Sequence, residues 1–153
     1  MKNIKVLSLF VLIFAGCLLL TGCGSKNVDG NMEDIMSKVY EKLPEDKTPM
    51  MLMNTEVTEE NVEYYLGTSE IEFEEALASE SATGSIAHSV VLVRLKDGAD
   101  VETVKSTIKE KVDPRKWICV AAENVVVKSK GNLVILIMTN DGLQELEEGF
   151  NNL

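Results

Sequence analysis

Histidine occurs once in the 153 residues, at position 88, cysteine and proline three times each, and aromatic side chains make up only 5%. Each scarcity excludes something. A single histidine and no paired C-x-x-C or H-E-x-x-H leave zinc chemistry without its usual donors. There is no G-x-S-x-G elbow, no G-x-G-x-x-G and no P-loop, so neither an activated serine nor a phosphate cradle is written in the chain. Basic residues are also few, 15 against 25 acidic, for a net charge of −10. Two of the basic residues, Lys2 and Lys5, lie in an N-terminal segment without Asp or Glu. Residues 23–153 therefore carry 13 basic and 25 acidic side chains, a net of −12, the wrong sign for a nucleic-acid partner. At 45% apolar and 26% charged, the composition is that of a globular chain with one core.

Residues 1–5 hold the two lysines, and residues 6–20 follow without a charge, the n-region and h-region of an export signal. The apolar run is shorter than the about 20 residues of a spanning helix. It ends in Leu20-Thr21-Gly22-Cys23, which resembles the lipobox of bacterial lipoproteins: an aliphatic residue, two small residues and a cysteine. The resemblance implies cleavage between Gly22 and Cys23, and diacylglycerol on the Cys23 thiol. Cys17 is a poorer candidate, because cleavage there would leave Leu18, Leu19 and Leu20 as an exposed tail. The expected organisation is a signal peptide over residues 1–22, a lipidated cysteine and short polar tether over 23–31, and one domain over 32–153. The expected location is the outer face of the cell membrane, with the bilayer as partner through acylated Cys23 and an envelope protein or ligand as the second partner. Cys119 is left as the one free thiol. No cofactor is implied.

Along the domain, Asn31 reads as an N-cap for an apolar seam at helical spacing, Met32, Ile35, Met36, Val39, Tyr40 and Leu43, which Pro44 stops. A short acidic helix is expected over residues 59–66, closed by Gly67. Residues 71–78 begin with strand alternation, although 74–78 would suit a helix equally. Residues 89–95 are apolar on both faces, as in a central strand, and Asp100 caps the clearest amphipathic helix. Residues 117–120 and 124–128 are β-prone, residues 133–139 form the strongest buried strand, and Asn140 or Asp141 caps a final helix. The pattern predicts an α+β fold: a mainly antiparallel sheet of about four strands with helices packed on one face.

Side chains that could carry chemistry are few. Cys119 could act as a nucleophile if His88 reached it, but within its apolar run it reads as an inert core thiol, and His88 reads as structural. Met32, Met36, Met50, Met51 and Met53 could offer thioethers to Cu(I), against the simpler expectation that they pack. The marked asymmetry is acidic. Glu56, Glu59, Glu60, Glu63, Glu70, Glu72, Glu74, Glu75 and Glu80 fall between Lys47 and Arg94 with no basic residue among them. They form a candidate interaction patch unless Arg94, Lys96 or residues 105–116 fold over them.

The stretches SVVLVRLKDG, DVETVKSTIKEKV, DPRKWICV and NVVVKSKGNLVILIM resemble a family of uncharacterised lipoproteins of Gram-positive anaerobes. None of the four is a chemical motif, so the resemblance implies an address and a fold without an activity. The expected function is a membrane-anchored, non-catalytic binding module. Its rivals are a small enzyme using Cys119 or the acidic region, and a metal-handling lipoprotein using the methionines.

Overall fold

The computed structural model describes residues 27–153, so the expected signal segment, Gly22 and Cys23 lie outside the described residues. The first helix, α1 (Met32–Tyr40), starts where expected: the Asn31 side chain accepts from the Glu33 amide at 2.8 Å, and Glu33 and Asp34 lie in the first turn. Its apolar stripe, Met32, Ile35, Met36 and Val39, is buried.

Strand β1 (Leu52–Glu56) follows, and helix α2 (Val62–Leu66) is shorter than its acidic sequence suggests, because residues 58–61 form a turn. Gly67 closes α2 at φ 76°, and a Cβ there would stand 2.2 Å from the Lys111 carbonyl oxygen, so only glycine fits. Strand β2 (Phe73–Ser81) settles the ambiguity over residues 71–78 in favour of strand. Strand β3 (His88–Leu95) leads to helix α3 (Val101–Lys111), capped by Asp100 through the Thr103 amide at 3.1 Å. Strands β4 (Asn124–Lys130) and β5 (Leu133–Thr139) form a hairpin. The last helix, α4 (Leu143–Asn151), follows Gly142 at φ 71°, and neither Asn140 nor Asp141 caps it. Residues 117–120 are not a strand.

Among the described residues the sheet has five strands in the order β1-β2-β3-β5-β4, every neighbouring pair antiparallel. The fold is α+β, as expected, with two corrections. The fifth strand is β1, and the helices cover both faces of the sheet rather than one. Alternation along β3 and β5 shows why. Val90, Leu92, Leu133, Ile135 and Ile137 pack under α1 and α4 with Met36, Val39, Leu146 and Phe150. Val91, Val93, Leu95, Val134, Leu136 and Met138 pack on the other side with Val62 and Leu66 of α2, Ile108 of α3, and Trp117. Strands that are apolar at every position have two faces to bury, and one helical layer cannot cover both.

Candidate functional site

Strands β1 and β2 lie beside α2 and the loop that follows α3, and together they enclose a surface concavity of about 340 Å³. Met53 and Thr55 come from β1, Glu80 and Ser81 from β2, Tyr64 and Tyr65 from α2, and Lys116, Trp117 and Ile118 from the loop. Lys116 is its centre. The side chain is only 6% exposed, and Nζ stands 4.4 Å from the Tyr64 ring centre, 5.1 Å from Tyr65 and 5.3 Å from Trp117. At those distances the ring faces attract the ammonium. Nζ also donates to Glu80 Oε2 at 3.2 Å and to Ser89 Oγ at 3.3 Å. Burial holds the Lys116 pKa below its ordinary value, and the Glu80 charge opposes that fall. The Tyr64 hydroxyl donates to Glu80 Oε1 at 3.3 Å, and burial with the Glu80 charge pushes its pKa up to about 12. The Trp117 indole nitrogen is buried and has no hydrogen-bond partner among the described residues.

The rim is apolar and open. Of the side chains lining it, Ile118 is 91% exposed, and Met53 and Tyr64 are more than half exposed, while Met50 lines a different concavity with His88 and Asp141. Met51 enters β1 with φ 55°, a left-handed conformation that costs a methionine about 1 kcal/mol. The ammonium cage was not legible in the sequence, because its members come from four separate segments. The tyrosine pair at 64–65 and the Lys-Trp pair at 116–117 are its sequence traces.

The acidic residues meet different fates. Arg94 pairs with Glu75, Lys96 with Glu72 at 3.3 Å, and Lys116 with Glu80, so part of the patch is neutralised by the three segments named from sequence. Glu56, Glu59, Glu72, Glu74 and Glu75 line a second, wider cleft of about 560 Å³ together with Lys96. Glu60, Glu63 and Glu70 are exposed outside it. Among the described residues, no three His, Cys, Asp or Glu side chains gather closely enough to hold a metal ion.

One expectation is corrected. Cys119 is exposed and free, because residues 117–120 run as an irregular loop in which Trp117 alone turns fully inward. His88 is buried and fully engaged. Its Nε2 lies 2.7 Å from the Tyr40 hydroxyl and its Nδ1 lies 3.0 Å from Thr139 Oγ1, which itself donates to the Asp141 carbonyl at 2.8 Å. That last bond uses the Thr139 proton, so His88 Nδ1 donates and Nε2 accepts from Tyr40. With both nitrogens occupied, His88 has none to offer Cys119. The methionines are divided between core and surface: Met32 and Met36 are buried under α1, while Met50, Met51 and Met53 face solvent.

The chain enters the domain at the other end of the sheet. Asn27 lies beside Leu95, Gly131 and Asn132, and the Arg94 guanidinium donates to the carbonyls of Val28 at 3.3 Å and Gly30 at 2.8 Å. Leu95 ends β3 and His88 begins it, whereas the concavity sits at the β2 end that pairs with Ser89. The eight residues of β3 separate the two poles by about 25 Å. Comparison with protein-family models, with curated proteins and with solved structures finds no match to this chain.

Proposed function

We propose that this protein is a lipid-anchored, non-catalytic binding module of the cell envelope, held to the outer membrane face by acylated Cys23, and that it binds its ligand at the concavity around Lys116. The observation that carries the reading is that Met53, Tyr64 and Ile118, three exposed large apolar side chains, line one concavity. Scattered apolar side chains are ordinary on a surface, whereas a cluster rimming a concavity marks a contact site. The tether's entry at the opposite pole supports the reading, since a chain anchored at Cys23 would carry this concavity away from the bilayer. The net charge of −12 over residues 23–153 works in the same direction beside anionic lipid.

Two measurements test it. Cys23→Ala should leave an unprocessed precursor without lipid labelling, and retained labelling overturns the anchor. Met53→Glu with Ile118→Glu should abolish the capture of envelope components by the domain, while Glu72→Gln with Glu74→Gln at the second cleft should leave it intact. The opposite pattern moves the binding surface to the acidic cleft.

A further inference from the structure

The two edges of the sheet are built differently. The outer strand β4 carries Lys128 and Lys130, which reach over α4 to Glu147 and to the carbonyl of Asn151, and lysine on an edge strand discourages further pairing. Strand β1 has the sequence LMNTE, with no lysine and no proline, and four of its five residues are exposed. Met51 accepts from the Ala82 amide and the Val57 amide donates to Ala76, so the odd-numbered residues bond inward to β2. The backbone groups of Leu52, Asn54 and Glu56 therefore point outward. The Glu56 carbonyl confirms the direction, because it accepts from the Asn61 side chain instead of from β2. Among the described residues no strand pairs with this edge.

The unpaired charge around the edge is acidic. Glu56 ends the strand, Glu59 and Glu60 lie in the turn after it, and Glu63 sits next to Tyr64 on α2; all four are exposed, and none forms an ion pair among the described residues. On the face toward the concavity, Met53 and Thr55 alternate with Leu52, Asn54 and Glu56 on the other. We infer that β1 receives an extended, lysine- or arginine-bearing segment of an envelope partner as a sixth strand, its backbone pairing with Leu52 and Asn54 and its alternate apolar side chains resting on Met53, Tyr64 and Ile118 beside the Lys116 concavity. This rests on the binding reading above and gives the partner a chemistry. Strand addition supplies affinity through main-chain bonds and selectivity through alternate side chains. A second copy of this chain fits worse, because it would offer β1 itself, a strand with no lysine or arginine to meet the exposed glutamates.

The test uses a blocked synthetic peptide of about seven residues that alternates lysine and valine, long enough to span the five residues of β1. It should bind the domain at low salt and weaken as salt rises, and the matching glutamate–valine peptide should not bind. Methylating the peptide's backbone nitrogens keeps every side chain and charge but removes the ladder donors, and binding should fall about tenfold or more. Glu59→Lys, Glu60→Lys and Glu63→Lys together should cause a comparable loss with the thermal midpoint little changed. Equal binding of the methylated and plain peptides overturns strand addition, as does a concentration-dependent dimer that the lysine peptide fails to dissociate. No binding by the plain peptide also overturns it. The binding reading itself falls only if envelope capture survives Met53→Glu with Ile118→Glu, so the two failures are distinguishable.

Discussion

Gly149 of α4 lies so close to Val39 of α1 that a Cβ on the glycine would stand 2.2 Å from the Val39 carbonyl oxygen. The two helices share one core with the sheet, and this approach sets how closely their backbones can pack. Mid-helix glycine ordinarily costs about 1 kcal/mol relative to alanine. Gly149→Ala should nevertheless destabilise the domain, by about 1–3 kcal/mol, because the helices must separate to admit a methyl group. Thermal unfolding of the variant checks this, and a raised midpoint would show that the helices yield freely.

The buried pair Lys116–Glu80 makes a second prediction. Their side chains are 6% and 13% exposed, so removing one partner strands a charge in a dry place. Glu80→Gln and Lys116→Met should each cost about 3–5 kcal/mol, while the double variant should cost distinctly less than the sum. Urea unfolding of the four proteins gives the coupling energy. A strictly additive result would mean that the ring contacts alone hold the ammonium.

His88 should make the fold acid-sensitive. Burial lowers its pKa to about 4 from an ordinary 6.5, partly opposed by the Asp141 charge. The unfolded chain therefore takes up a proton below about pH 6.5 that the folded chain refuses until about pH 4. Stability contributed by the neutral imidazole is complete above pH 6.5 and is lost as the pH falls through that window, by about 3 kcal/mol at its end. Tyr40 and Thr139 occupy the ring nitrogens, and the Tyr40 phenol is itself raised by burial, so neither supplies a charge to the ring in this range. Denaturant midpoints from pH 7 to pH 4.5 should decline in the natural protein. In His88→Gln, less stable at neutral pH, that part of the decline should be missing.

What the sequence revealed, and what it hid, follows from burial. Asn31 and Asp100 were legible as caps because the signal is local, a side-chain oxygen next to the first free amides. Strands β3 and β5 were legible because every position is apolar, and the same fact already required two covering layers. Strand β1 was hidden because an edge strand with four exposed residues has no buried alternation to detect. The acidic asymmetry was visible in the sequence, but its partial neutralisation depends on register: Glu75 stands directly across from Arg94. The Lys116 cage was invisible for the same reason, since only folding brings residues 64, 80 and 116 together.

Cys119 gives the last prediction. Its apolar neighbours Trp117, Ile118 and Val120 suggested a buried thiol, yet it is exposed beside an isoleucine that is 91% exposed. A thiol in solvent reacts without prior unfolding, whereas a core thiol waits for the domain to open. The soluble domain, without Cys23, should therefore react with maleimide or an aromatic disulfide in one fast phase under native conditions. Denaturant should raise neither the rate nor the extent much. Cys119→Ser should change stability by less than about 0.5 kcal/mol, the usual range for an exposed position. Labelling that appears only in denaturant, or a serine variant weakened by several kcal/mol, would return Cys119 to the core and would also remove Ile118 from the open rim on which the proposed strand is to rest.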